Sequence, residues 1–221
     1  MAKKQGVSDR TDVTEPDFFE IEFPFGTLIV DEDIYYRIVK DKTKRPFFKY
    51  KKFNYFCYIN GHLRCRIDGG RKTYSLGRLL LQPEKDEIVD HINRNPLDNR
   101  RCNLRIVNPR QNTLNRTTKN NTGLFGVYSS NNRGKKLLGA SFKPPTGRRL
   151  TFYILDSPLN RIICALVHDK FVIQSGDDEY APLNFPIFKN EPFRSRLLKM
   201  DLSEFRKNNL EFFIKKLGVN L

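Results

Sequence analysis

A carboxylate and an imidazole stand side by side at Asp90-His91, and carboxamides follow at Asn103, Asn112 and Asn115, all within the segment from Glu87 to Arg116. A carboxylate and a carboxamide oxygen suit a hard cation of the magnesium class, which keeps its other positions for water and phosphate. The imidazole, with an ordinary pKa of about 6.5, can take a proton from water near neutral pH, as a general base in phosphodiester hydrolysis must. The flanking sequence has to bring these groups together. Ile88, Val89 and Ile92 predict a strand around the Asp-His pair, and Asn93, Asn95, Pro96, Asp98 and Asn99 predict a long turn. Leu104, Ile106 and Val107 predict a second strand, and Asn108-Pro109 a helix start with an asparagine cap and proline in the first turn. Neighbours on a regular strand face opposite ways, so Asp90 and His91 can serve one phosphate only where the strand bends or ends.

The order Asp90-His91, Asp98-Asn99-Arg100, Asn103-Leu104-Arg105 and Gln111-Asn112 resembles the ββα-metal motif of HNH endonucleases, in the asparagine-ending form of homing enzymes. The resemblance implies that His91 is the base, Asp90 and Asn112 are the metal ligands, and Asn103 braces the loop. An asparagine in the third place implies one Mg2+ or Mn2+ ion rather than a catalytic zinc. Arg100, Arg105 and Arg116 are candidate phosphate contacts, with solvated surface charge as the other reading. The likeness extends more weakly upstream to Tyr74, where the stretch to Pro83 predicts a short helix or strand.

The chain has 221 residues and a formal charge of +15, from 40 Lys+Arg against 25 Asp+Glu. Such a balance points to a polyanionic partner. Without a long apolar run or lipidation signal, nucleic acid is favoured over membrane. Cys57, Cys65, Cys102 and Cys164 form no CxxC pair, and no secretory leader is evident, so an intracellular, reduced protein is expected. His62 and Cys65, with Cys57, lack a fourth ligand and zinc-knuckle spacing, and no structural zinc is expected.

The expected fold class is α+β, in five parts. Residues 1–17 read as a flexible tail. Residues 18–82 read as a β-rich DNA-contacting region, with strands at FFEIEFPFGTLIV, Ile34–Lys40, Phe53–Ile59 and Leu63–Ile67 and an Asn60-Gly61 hairpin turn. Within it the basic stretch from Thr43 to Lys52, with Phe47, Phe48 and Tyr50, reads either as a backbone-tracking tip or as a solvated loop. Residues 83–118 form the nuclease unit. Residues 119–186 predict strands at Leu124–Tyr128, Leu137–Lys143 and Arg148–Ile154, then a helix capped at Asp156 or Ser157 and ending near Gly176. Gly126-Val127, Ala165–Asp169 and Leu183-Asn184-Phe185-Pro186 make this part similar to the Apetala-type DNA-binding domain, although that family's tryptophans are absent. By that likeness Arg133, Lys135, Lys136, Lys143, Arg148 and Arg149 would meet the major groove. His168 reads as a packing residue. Residues 187–221 predict one amphipathic C-terminal helix with a capping box at Asp201 and Glu204 and a stop at Gly218.

The reading is a sequence-selective, homing-type endonuclease that acts as a monomer on double-stranded DNA and nicks it, without an obligate protein partner or a membrane. A DNA-binding regulator with an inactive nuclease fold and an RNA-binding protein are the competing classes.

Overall fold

The computed structural model describes residues 18–38, 53–67, 71–115 and 121–219. The N-terminal tail, the basic stretch around Phe47 and Tyr50, and Arg116 lie outside the described residues. The chain divides into two compact units, residues 1–112 and 113–221, each built of helices and small antiparallel sheets, an α+β make-up. The segments 18–82 and 83–118 were expected to be separate; nearly all of both lies in the first unit.

In the first unit, β1 (Phe18–Phe23) and β2 (Gly26–Asp31) form a hairpin that leads directly into α1 (Glu32–Ile38). The strand expected at Ile34–Lys40 is therefore a helix over its described part. Glu32 and Asp33 in the first turn and Arg37 in the last complement the helix dipole, and Ile34 and Ile38, four residues apart, turn one face toward the core. Local charge and a 3.6-residue period outweigh the β-branched composition.

Three more strands, β3 (Phe53–Ile59), β4 (His62–Ile67) and β5 (Thr73–Ser75), make an antiparallel sheet, with the Asn60-Gly61 turn where the sequence places it. Next come α2 (Leu76–Leu81), then β6 (Ile88–His91) paired with β7 (Leu104–Val107), and α3 (Pro109–Leu114). Leu28, Val30, Ile34, Leu63, Cys65 and Leu76 form the buried centre. Burial pushes the Cys65 thiol up to about 12, as fits a thiol packed into this core.

The second unit carries a sheet in the order β10–β9–β8: β8 (Val127–Asn132), β9 (Lys135–Phe142) and β10 (Leu150–Leu155). The first strand runs later than expected, because Arg133-Gly134, both at positive φ, make a two-residue turn and β8 extends to meet it. Across one face lies α4 (Pro158–Gln174), capped by Ser157 and started by Pro158. Its Leu166, Val167 and Phe171 share a core with Leu138, Ala140 and Phe152 of the sheet.

Asp169 is fully buried and accepts the backbone N–H groups of Asn184 at 2.9 Å and Phe185 at 2.8 Å, which fixes the Leu183–Pro186 segment to the helix. His168 packs against Gly126, where any Cβ would collide with the imidazole. The single C-terminal helix expected is three: α5 (Phe193–Lys199), α6 (Leu202–Lys207) and α7 (Leu210–Leu217). The capping box at Asp201 and Glu204 and the left-handed Gly218 stand as expected. Asn209, however, caps a new helix through Phe212 N–H and so divides the long one. Phe205, Phe213 and Leu217 join the core of this unit. No helix among the described residues is long and apolar enough to cross a membrane.

Candidate active site

Strand β6 ends at His91, and a turn begins at Ile92, whose N–H donates to Asn103 O at 2.8 Å. The strand end that a shared role for Asp90 and His91 requires is present.

The loop from Ile92 to Asn103 is held by its own amides. Asn103, 6% exposed, accepts Asn93 N–H at 2.9 Å on Oδ1 and donates from Nδ2 to Asp98 O at 2.8 Å and Asn93 Oδ1 at 3.0 Å. Asp98, 1% exposed, accepts Asn93 Nδ2 and the Arg100 guanidinium through both oxygens, at 2.7 and 2.8 Å. Burial by itself would raise the Asp98 pKa. The Arg100 guanidinium and the surrounding donors outweigh it and hold the carboxyl below its usual value.

The N-terminal hairpin clamps this loop. Ile29 N–H donates to Leu97 O and Ile29 O accepts Asn99 N–H, while Arg101 reaches Asp31 and Asp33 at 2.9 and 2.7 Å. From the other side α2 packs tightly on β6, with Gly77 so close to Val89 that a Cβ would sit 3.0 Å from its methyl. Arg78 fixes the chain entering β6 by donating to Glu87 O at 2.7 Å and Glu84 O at 3.1 Å.

Within this frame Asp90 is buried and faces its cross-strand partner Arg105. Asp90 Oδ2 accepts Arg105 Nε at 2.9 Å and Nη2 at 2.7 Å. His91 is half-buried. Burial lowers its pKa, while a side-chain hydrogen bond with Asn99 and the charges of Asp90 and Asp98 oppose that shift. The net direction favours the neutral ring, the form that can accept a proton.

Asn112 lies half-buried on α3, its N–H bonded to Asn108 O, and the helix is opened by a reciprocal pair between Asn108 and Gln111. Asp90, His91, Asn103 and Asn112 thus sit on the strand, loop and helix of one small unit. Asn99 and Asn93 were not singled out by sequence reasoning, although the Asp-Asn-Arg triplet was the available signal. Two of the expected DNA contacts are engaged inside the protein. Arg100 is paired with Asp98 and lies over the Phe18 ring at 4.9 Å, and Arg105 is paired with Asp90.

In the second unit Arg133, Lys135, Lys136, Lys143, Arg148 and Arg149 are all exposed, but they do not share one face. Strand alternation puts Lys135 with Tyr128, Ser141 and Tyr153 on the side away from α4, and Arg149 is close enough to act on the Tyr128 phenol. Lys136 has the opposite parity, and Lys143 Nζ donates to Gly147 O at 2.5 Å across the turn. Tyr128 and Tyr153, opposite Gly139 on either side, join their hydroxyls at 2.8 Å. A side chain at Gly139 would displace that pair.

Among the described residues no three His, Cys, Asp or Glu side chains gather as a metal-holding group. The ββα unit instead carries the Asp90 carboxylate and carboxamide oxygens, with the Asp98 carboxylate already engaged by Arg100, and a carboxylate with carboxamide oxygens fits a hydrated hard cation. The HNH endonuclease family model matches residues 82–114, the span of β6, the loop, β7 and α3. No curated protein and no solved structure matches the chain. The match supports an HNH nuclease with DNA as its substrate.

Proposed function

We propose that the chain is a divalent-metal-dependent, sequence-selective DNA endonuclease of the homing type, which hydrolyses one strand of duplex DNA at a time. The observation that carries this reading is the ending of β6 at His91 beside buried Asp90, over a loop braced by Asn103 and followed by the helix that bears Asn112.

Asp90 and Asn112 would hold a Mg2+ or Mn2+ ion, which when bound would supply positive charge to the phosphate and the leaving oxygen. His91 removes a proton from the attacking water, oriented by Asn99, and Asn103 keeps the loop in shape without touching substrate. Arg105 holds the Asp90 carboxylate in place. The second unit grips the duplex through the outward face of its sheet, in the manner of an Apetala-type domain, with Arg133, Lys135 and Arg149 on phosphates.

The Asp90–Arg105 pair also favours a second reading, a nuclease fold kept only for binding, because a guanidinium occupies the carboxylate a metal would need. Cleavage of supercoiled plasmid with and without Mg2+ separates the two. The endonuclease reading expects metal-dependent open circles, with activity abolished in Asp90→Ala. Binding without cleavage under every divalent ion supports the second reading.

A further inference from the structure

A cleft of about 580 Å³ opens in the first unit between β4, β5 and α2, with Ile88 and Val89 of β6 in its wall. Its volume lies within the roughly 300–1,000 Å³ typical of small-molecule sites. The rim is basic, from His62, Arg64, Lys72 and Arg78, and the wall is apolar and aromatic, from Leu79, Val89 and Tyr74. No carboxylate lines it among the described residues. Arg78 is held by two carbonyls, but Arg64 Nε is buried without a hydrogen-bond partner among the described residues, and its Nη2 has only a 3.4 Å contact with Thr73 O. Lys72 Nζ stands exposed, 5.4 Å from the centre of the Tyr74 ring.

The position of the cleft matters as much as its chemistry. Val89 and His91 are two residues apart on β6 and share a face, so the cleft wall continues toward the imidazole.

We propose that this cleft is a nucleotide subsite. It seats one nucleotide of the cut strand, with phosphate against Arg64 and Lys72 and base or sugar against Tyr74 and Leu79, so that the neighbouring phosphate reaches His91. This rests on the endonuclease reading and adds to it where the substrate strand lies. An aromatic wall with basic groups above it can take a nucleotide of any base, since every base has a stacking face.

The test uses the full chain and a deoxynucleoside 3′,5′-bisphosphate. In a His91→Ala background the bisphosphate should perturb amide signals of β4, β5 and α2 in NMR titration. Lys72→Ala and, separately, Tyr74→Leu should weaken its binding by roughly tenfold each. In the otherwise native chain, Lys72→Ala should raise the KM for plasmid nicking with little change in kcat, and lower the salt slope of binding by about one. Unchanged bisphosphate affinity and unchanged KM in both variants would overturn the subsite. Cleft binding by the bisphosphate in a chain that never cuts DNA would instead uphold the subsite and defeat the endonuclease reading.

Discussion

At the scale of single residues, His91 is under opposed influences. Burial favours the neutral ring, whereas Asn99 and two carboxylates favour its protonated form. Asn99 is a hydrogen-bond partner of the ring, and it is itself buried, with Nδ2 donating to Pro96 O. Substituting Asn99 by Ala should lower the single-turnover nicking rate about 10- to 100-fold, because a misaimed base loses most of its advantage, while DNA affinity stays within twofold. Rapid-quench kinetics beside a gel-shift titration would test this, and an equal loss in both would contradict the orienting role. What was legible in the sequence is the local frame, a strand that carries Asp90-His91 and an Asn-rich turn directly after it. The Arg105 pairing was not. An arginine opposite an aspartate becomes visible only when the β6–β7 register sets Asp90 against Arg105.

At the scale of elements, the loop between β6 and β7 is a network of amide and carboxylate contacts that replaces the missing regular structure. Asn103→Ala would leave the buried Asp98 carbonyl and the Asn93 N–H without their partner and should destabilise the first unit by roughly 2 kcal/mol, measured by denaturant unfolding. The Asp98 carboxyl gives a pH signature. Its folded pKa lies below the ordinary value of 3.8, so its contribution is complete above that value and is lost as pH falls through the lower folded pKa. Asp98→Asn should therefore flatten the acid limb of the stability profile, and an unchanged limb would show that the pair with Arg100 adds nothing.

Elements marked by turn and cap residues were readable in advance: the Asn60-Gly61 hairpin, the Ser157-Pro158 helix start and the Asp201 capping box. Those misread share one cause, local chemistry that cuts against composition. Acidic residues at Glu32-Asp33 start a helix in a β-branched stretch, and Asn209 restarts one where the apolar spacing suggested continuity.

At the scale of the whole molecule, the charge of +15 belongs to a chain of two compact units. In the proposed reading the outward face of the β8–β9–β10 sheet, with Lys135, Arg149 and the joined Tyr128 and Tyr153 hydroxyls, would be the broad surface for the duplex. Replacing Arg133, Lys135 and Arg149 together by Ala should lower the salt slope of DNA binding by about two to three without altering the cleavage rate at saturating protein. A fall of about one in the slope from Lys136→Ala alone would mean that the face has been assigned to the wrong parity. The central claim is that Asp90, His91 and Asn112 form one metal-dependent hydrolytic centre. Its most direct measurement is supercoiled plasmid incubated with excess protein at fixed salt, with Mg2+ or with EDTA, for the native chain and for His91→Ala. The account predicts open circles from the native chain with Mg2+ alone, and a loss of about 100-fold or more in His91→Ala despite intact DNA binding. Native-level cutting by His91→Ala, or cutting that persists in EDTA, would contradict it.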